Sequence, residues 1–274
     1  MTVADDAEDH YIYKVDLTPK RPAVTPYVDL TKLGGYEGLL RAMRGETHLK
    51  DEDRRFDLEG LAVCGDKIYL ANERVRQVIE VDAKSRVSVL SLDLSGYADL
   101  WAGGANAGLE GITVDCATGT MYLAKERDPR GLMVVDLASG KVTVAPDIAP
   151  SDRAGQQVIN PFSGQGLLTI TADFSDLAFD GGYLYAIERN SYEIAKIDPK
   201  TFAVVARVSY FETEKPLYET GEPFGIGEAL ALTPDTIILG TDNNKMPISG
   251  RATAKYHVKG NVPALMFFER PVGF

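Results

Sequence analysis

The sequence predicts an all-β fold, a β-propeller of four-stranded blades. Two observations lead there: an internal repeat of blade length, and strand-forming runs within each repeat that are broken by tight turns. Four segments align: FDLEGLAVCGDKIYLANER (56–74), AGLEGITVDCATGTMYLAKER (107–127), DFSDLAFDGGYLYAIER (173–189) and GIGEALALTPDTIILGTDN (225–243). Each reads as acid, strand, turn, strand, acid. Their leading carboxylates, Glu59, Glu110, Asp176 and Glu228, are 51, 66 and 52 residues apart, which suits one blade per repeat with insertions in the loops.

Two more short strands follow each of the first three segments, in VIEVDAKSRVSVLSLDL, LMVVDLASGKVTVAPDI and IAKIDPKTFAVVARVSY. Four strands per repeat is the blade count. Asp82, Asp136 and Asp198 open turns there, where a short carboxylate accepts backbone N–H groups two residues on, so their role is structural. Val, Ile, Leu and Tyr fill the strands with little alternation, as expected of sheets covered on both faces by adjacent blades.

Blades are expected at about 56–94, 107–148, 173–210 and 225–274, in a single propeller domain over 1–274, with a partial blade over 1–30. In that partial blade Asp5 and Asp6 fall where Asn72 and Glu73 fall, and Asp16 matches Asp82, so its inner strand is missing. Either residues upstream supply that strand, or the C-terminal PALMFFERPVGF closes the ring. The expected total is five blades, or six. Longer segments at 31–55, with LLRAMR as a short helix, and at 95–106, 149–172 and 210–224 all precede an inner strand. In a propeller such insertions share one face above the channel, where inserted loops commonly build the site.

A second set of acids, Glu73, Glu126, Glu188 and Asp242, follows the first by 14, 16, 12 and 14 residues. In an antiparallel hairpin the start of one strand lies beside the end of the next, so the two sets converge on one channel mouth. Crowded carboxylates raise one another's pKa unless a cation neutralises them, and an all-oxygen set favours calcium over zinc or copper. Calcium is the expected cofactor, with Glu59, Glu110, Asp176 and Glu228 as its ligands. The competing reading is structural: each acid accepts hydrogen bonds from backbone or arginine and pins one blade to the next. Arg74, Arg127 and Arg189 directly follow second-set acids, Lys125 precedes Glu126, and Asn72, Asn243 and Asn244 lie on the same rim. Guanidinium groups fork onto carboxylate or phosphate oxygens. These residues are therefore candidates to bind an anionic ester beside calcium, or to bridge blades through the same acids.

Forty acidic against 29 basic residues give a net charge of −11, which repels phosphate backbones and anionic lipid surfaces, so nucleic acid is not an expected partner. No apolar run is long enough for a membrane span, and MTVADDAEDH has neither the basic nor the apolar region of a signal peptide. GxSxG, HExxH and P-loop patterns are absent, and His10, His48 and His257 are too scattered to suggest a triad. Trp101, inside an insertion, either stacks on a ligand or anchors its loop. Cys64 and Cys116 are too few for a disulfide-dense scaffold or a four-thiolate zinc site. They occupy near-equivalent inner turns of consecutive blades, away from the acids. A disulfide fits there if the Cα atoms come within about 7 Å, and it would suit an oxidising compartment; the alternative is two small buried hydrophobes.

In DLEGLAV, GLEGITVD, DFSDLAFD and GEALAL, with NER, KER, IER and TDNN closing the hairpins, the chain resembles the phytase-like esterase propellers from about Asp5 onward. The resemblance implies a bacterial exported protein, periplasmic or secreted, with calcium at the channel mouth and hydrolysis of phosphoesters or carboxyl esters. It also implies an export signal outside this sequence. FDLEGL is similar, in addition, to a segment of the calcium-dependent propeller phytases. Three readings stay open. The first is a calcium-dependent hydrolase of a small anionic ester, in which metal polarises the ester and activates water. The second is a non-catalytic propeller that binds a protein or small ligand on its loop-rich face. The third is a set of purely structural carboxylates, with function residing in the loops.

Overall fold

The computed structural model describes all residues except 5–8, 19–21, 47–49, 52–53, 95–103, 105, 160–165, 219–224 and 244. Asp5, Asp6, His48, Trp101 and Asn244 therefore lie outside the described residues. The chain forms two compact units, Met1–Ala145 and Pro146–Phe274, and each has an apolar core of its own.

The first unit opens with a hairpin, β1 (Tyr11–Asp16) and β2 (Ala23–Asp29), and a helix, α1 (Tyr36–Arg44). Two antiparallel four-stranded meanders follow: β3 (Leu58–Cys64), β4 (Lys67–Asn72), β5 (Gln77–Asp82) and β6 (Arg86–Val89), then β7 (Leu109–Asp115), β8 (Thr120–Lys125), β9 (Gly131–Asp136) and β10 (Val142–Val144). The second unit has a short hairpin, β11 (Gln157–Ile159) and β12 (Leu167–Thr169), and a third meander, β13 (Phe174–Asp180), β14 (Tyr183–Glu188), β15 (Glu193–Ile197) and β16 (Val204–Ser209). After α2 (Phe211–Glu214) comes a three-stranded sheet of β17 (Gly227–Leu232), β18 (Thr236–Thr241) and β19 (Leu265–Glu269), with α3 (Gly250–Tyr256) before its last strand. No described helix is long and apolar enough to cross a membrane.

Each acid-led repeat is one blade-type sheet, so the described residues hold four such sheets rather than five or six. The expected partial blade over 1–30 is only the β1–β2 hairpin, bridged at its edge by Thr2 and Tyr13. Residues 23–27 of β2 are exposed, so among the described residues no further strand or sheet covers this hairpin as in a complete blade. The C-terminal PALMFFERPVGF does not close a ring through an inner strand. Its residues Leu265–Glu269 pair with β18 as the third strand of the last sheet.

The turn chemistry follows the sequence. Asp82, Asp136 and Asp198 each accept an amide two residues on, from Lys84, Ala138 and Lys200, at 2.9 to 3.0 Å. Gly181 and Gly182, both at positive φ, form the two-residue turn between β13 and β14, a conformation that residues with a Cβ adopt only at a cost. The expected helix at LLRAMR is the C-terminal part of α1, which buries Leu39 and Met43, one turn apart, in the core with Ile12, Leu58 and Leu70. His10 is structural: its Nδ1 lies 2.9 Å from the Tyr36 hydroxyl and its ring packs edge-on to Phe56.

Within each unit the inner strands pack side by side, β3 with β7 and β13 with β17. The approach of β3 to β7 requires a glycine. A Cβ on Gly60 would lie 2.4 Å from the Glu110 carbonyl oxygen and 3.1 Å from the Ile112 nitrogen. Cys64 and Cys116, at the far end of these strands from Glu59 and Glu110, are joined in a disulfide with Cα atoms 5.6 Å apart.

Candidate functional site

Every inner hairpin carries one extra residue on its inner strand. Leu58 pairs with Asn72 and then Gly60 with Ala71; Leu109 with Lys125 and then Ile112 with Leu123; Phe174 with Glu188 and then Leu177 with Ala186; Gly227 with Thr241 and then Ala229 with Gly240. The bulge thus recurs at the same point in all four sheets, where it bends the strand and re-aims its side chains. Backbone bonds just before it recur as well: the amides of Glu73, Glu126, Arg189 and Asp242 donate to the carbonyls of Asp57, Gly108, Asp173 and Ile226 at 2.8 to 3.1 Å.

This register corrects the third repeat. The column of Glu59, Glu110 and Glu228 contains Ser175, not Asp176, and the column of Glu73, Glu126 and Asp242 contains Arg189, not Glu188. Asp176 and Glu188 are each one residue out of line, and a one-residue slip in a strand reverses the facing of a side chain. Their partners agree. Asp176 is buried and accepts the amides of Leu177 and Leu230, both at 2.7 Å. Glu188 accepts Arg207 Nε at 2.7 Å and the Ser151 amide at 3.3 Å. Desolvation raises the Asp176 carboxyl to about 8, against the two amides that favour its charged form.

In the first unit all four column positions remain acidic, and the structure brings them together. Asp57, Glu59 and Glu73 form one group and Glu73, Glu110 and Glu126 another; within each, one oxygen per residue lies within 4.8 Å of the others. All but Glu59 are buried. Burial, and secondarily the charge of Asp57, pushes the Glu73 carboxyl up to about 7, opposed by the Gly108 amide at 3.1 Å and by Arg74 and Arg127. Gly108 has no room for a Cβ, which would fall 2.1 Å from the Glu73 carbonyl oxygen.

Arg74, Arg127 and Lys125 stand among these acids. Arg74 Nε is 2.5 Å from Asp57 Oδ2, and its Nη2 donates to Asn106 Oδ1 at 2.8 Å. Arg127 pairs with Glu126 and donates to the Asn106 carbonyl. Lys125 is buried and donates to the carbonyls of Arg127 and Pro129; desolvation, then Arg76 and Arg127, lowers it to about 8. Asn72 faces the other way, with its amide 3.5 Å from the Met43 sulfur on α1. Two further contributors, Asp57 and Arg76, lie outside the residues singled out by the repeat. Asp57 had a signal, since Asp173 occupies the same place in the third repeat. Arg76, which donates to the Gly104 carbonyl at 2.8 Å, had none, because that contact joins the β4–β5 turn to an insertion 28 residues further on.

The second unit has a different character. Arg189 pairs with Glu228 and lies 3.9 Å from Asp173, while Ser175 Oγ donates to the Gly227 carbonyl at 2.6 Å. Asp242 is exposed, and Asn243 donates to the Met246 carbonyl at 2.8 Å. The bond that Glu73 makes to Gly108 has its counterpart here in Glu214 of α2, whose Oε1 accepts the Ile226 amide at 2.8 Å. In each unit, then, insertion residues do reach the acid-bearing end: 104 and 106 in the first, 149, 151 and 214 in the second.

Together these features define a class: an all-β protein of repeated blade-type sheets, with a carboxylate centre where two inner hairpins meet. A family model described as SdiA-regulated matches residues 49–219, more than half of the chain. The chain belongs to that family, which is of the β-propeller type. No curated protein matches it. Among solved structures, Kuenenia stuttgartiensis hydrazine synthase is similar with a TM-score of 0.41 and 13% identity, over 70% of this chain and 44% of that one. This chain therefore spans less than half the length of that relative. A chain of a nidogen/laminin complex is similar at 0.37 and 14% identity, over 74% of this chain and 73% of that one. A protein of unknown function from Bacteroides caccae is similar at 0.36 and 13% identity, over 80% of this chain and 84% of that one.

Proposed function

We propose that the chain is an exported, calcium-binding protein that hydrolyses a small anionic ester, of the phosphoester or a related class, with its metal held in the first unit. The observation that carries this reading is the pair of carboxylate groups sharing Glu73. The donor set fits the ion. It is all oxygen and all carboxylate, and one member is pushed to about 7 by burial beside another acid, as happens where negative charge is under-compensated. Asp57, Glu59, Glu73, Glu110 and Glu126 would hold calcium, which would supply polarisation of an ester oxygen and acidification of a bound water. Arg74 and Arg127, both partly exposed, would orient the anionic group of the substrate. The disulfide suits an oxidising compartment, and the similarity to phytase-like esterase propellers points the same way.

A second reading has its own observation. Arg74 on Asp57 and Arg127 on Glu126 already neutralise two of the acids, as in a purely structural network or a non-catalytic binding surface for a protein or small ligand. Calcium titration with melting temperature as readout, followed by a panel of phosphoesters, aryl esters and lactones, separates the two. A ligand that binds only the folded state raises the melting point. Calcium stabilisation that is lost in Glu110→Gln, together with calcium-dependent turnover, is the expected result. Stabilisation without turnover favours the non-catalytic reading, and no response to millimolar calcium removes the metal centre.

A further inference from the structure

Beyond the carboxylate centre, two of the buried polar atoms of the second unit that have no hydrogen-bond partner among the described residues lie against one glycine. Tyr210 and Glu214 are each 3% exposed, and among the described residues neither the Tyr210 hydroxyl nor Glu214 Oε2 has a hydrogen-bond partner. They crowd the same spot. A Cβ on Gly227 would lie 3.0 Å from the Tyr210 oxygen and 3.3 Å from Glu214 Oε2. The equivalent positions in the other three sheets are Leu58, Leu109 and Phe174, all buried apolar side chains. Only in the last repeat is that place left to a glycine and lined from the insertion by two oxygens. An orphaned buried polar group costs stability, so two together at a position that is apolar elsewhere call for a partner from outside the chain.

We infer that Tyr210 and Glu214 form a metal-independent binding site for an uncharged carbonyl oxygen, such as that of an ester, ketone or amide. The chemistry follows from the atoms present. Glu214 Oε1 is committed to the Ile226 amide, which fixes the carboxyl and leaves Oε2 as its free end. Desolvation raises Glu214 to about 8 and Tyr210 well above its usual 10, so at neutral pH both present O–H groups and neither carries charge. Two neutral donors converging on one place match the two lone pairs of a carbonyl oxygen and discriminate against a cation. The Arg189 and Glu228 pair, with Glu228 next along the strand from Gly227, stays partly exposed. Arg189 stands where the first unit has Glu73, so positive charge is built in and no metal is needed to balance Glu228.

The test uses 4-nitroacetophenone, an uncharged aryl ketone with no leaving group, with binding followed by saturation-transfer NMR on the full chain in the presence of a calcium chelator. The parent is expected to bind it. Tyr210→Phe is expected to weaken binding at least tenfold while raising the melting temperature, because an unsatisfied hydroxyl has been removed. Glu214→Gln retains a carbonyl for the Ile226 amide and an N–H donor for the ligand, so it is expected to bind within about threefold of the parent. Failure of the parent to bind overturns the inference. So does Tyr210→Phe that binds as the parent does, or that melts lower, since a lower melting point shows the hydroxyl to be satisfied by internal water. The chelator keeps this outcome separate from that of the calcium reading, which any of these results leaves standing.

Discussion

Replacing Glu73 by Gln separates the charge of this acid from its shape. Burial and the neighbouring Asp57 raise the carboxyl from 4.5 in the ordinary state to about 7 in the folded protein. The folded state therefore holds this proton to higher pH than the unfolded state does. Stability from this group is greatest below the unfolded value and declines as pH rises through the interval to about 7. A shift of this size corresponds to about 3 kcal/mol. Glutamine keeps an oxygen for the Gly108 amide but takes on no charge. In chelator, Glu73→Gln should equal the parent near pH 4 and exceed it by up to about 3 kcal/mol near pH 8. Calcium should narrow or reverse that difference by stabilising the parent more. Urea unfolding followed by circular dichroism across this range, with and without calcium, measures both effects. A parent and variant with the same pH dependence in chelator would refute the claim that Glu73 carries an under-compensated buried charge.

Three other outcomes are expected. Gly60→Ala places a methyl against backbone on the neighbouring inner strand and should lose about 2 to 3 kcal/mol in urea unfolding, whereas Gly131→Ala, with open space around it, should change stability by less than about 0.5 kcal/mol. Asp176→Asn keeps one of the two acceptors used by Leu177 and Leu230 and should cost about 1 to 3 kcal/mol without altering the calcium response, since the register turns this residue away from the acid columns. Unfolding without reductant should expose no titratable thiol, and reduction should lower stability by about 4 kcal/mol for a loop closed over 52 residues; two free thiols in the unreduced chain would contradict the pairing of Cys64 with Cys116.

The sequence by itself determined what depends on local chemistry. Strand pairs within each repeat, the aspartate turns at Asp82, Asp136 and Asp198, and the helix around Leu39 and Met43 are set by residues a few positions apart, so they can be read along the chain. The proximity of Glu59, Glu73, Glu110 and Glu126 was also legible, because two repeats in the same register bring like positions together. What the tertiary structure alone decided was register and count. In the third repeat DFSDLAF aligns by eye on its second acid, but pairing with β14 puts Ser175 and Arg189 in the acid columns; the 12-residue spacing, against 14 in the first and fourth repeats, was the trace of it. A single residue of slip leaves hydrophobic composition unchanged while reversing every side chain, so only strand pairing resolves it. The pairing of the C-terminal strand with β18, and the arrival of Glu214 beside Gly227, likewise depend on packing between segments distant in sequence, for which no local pattern exists.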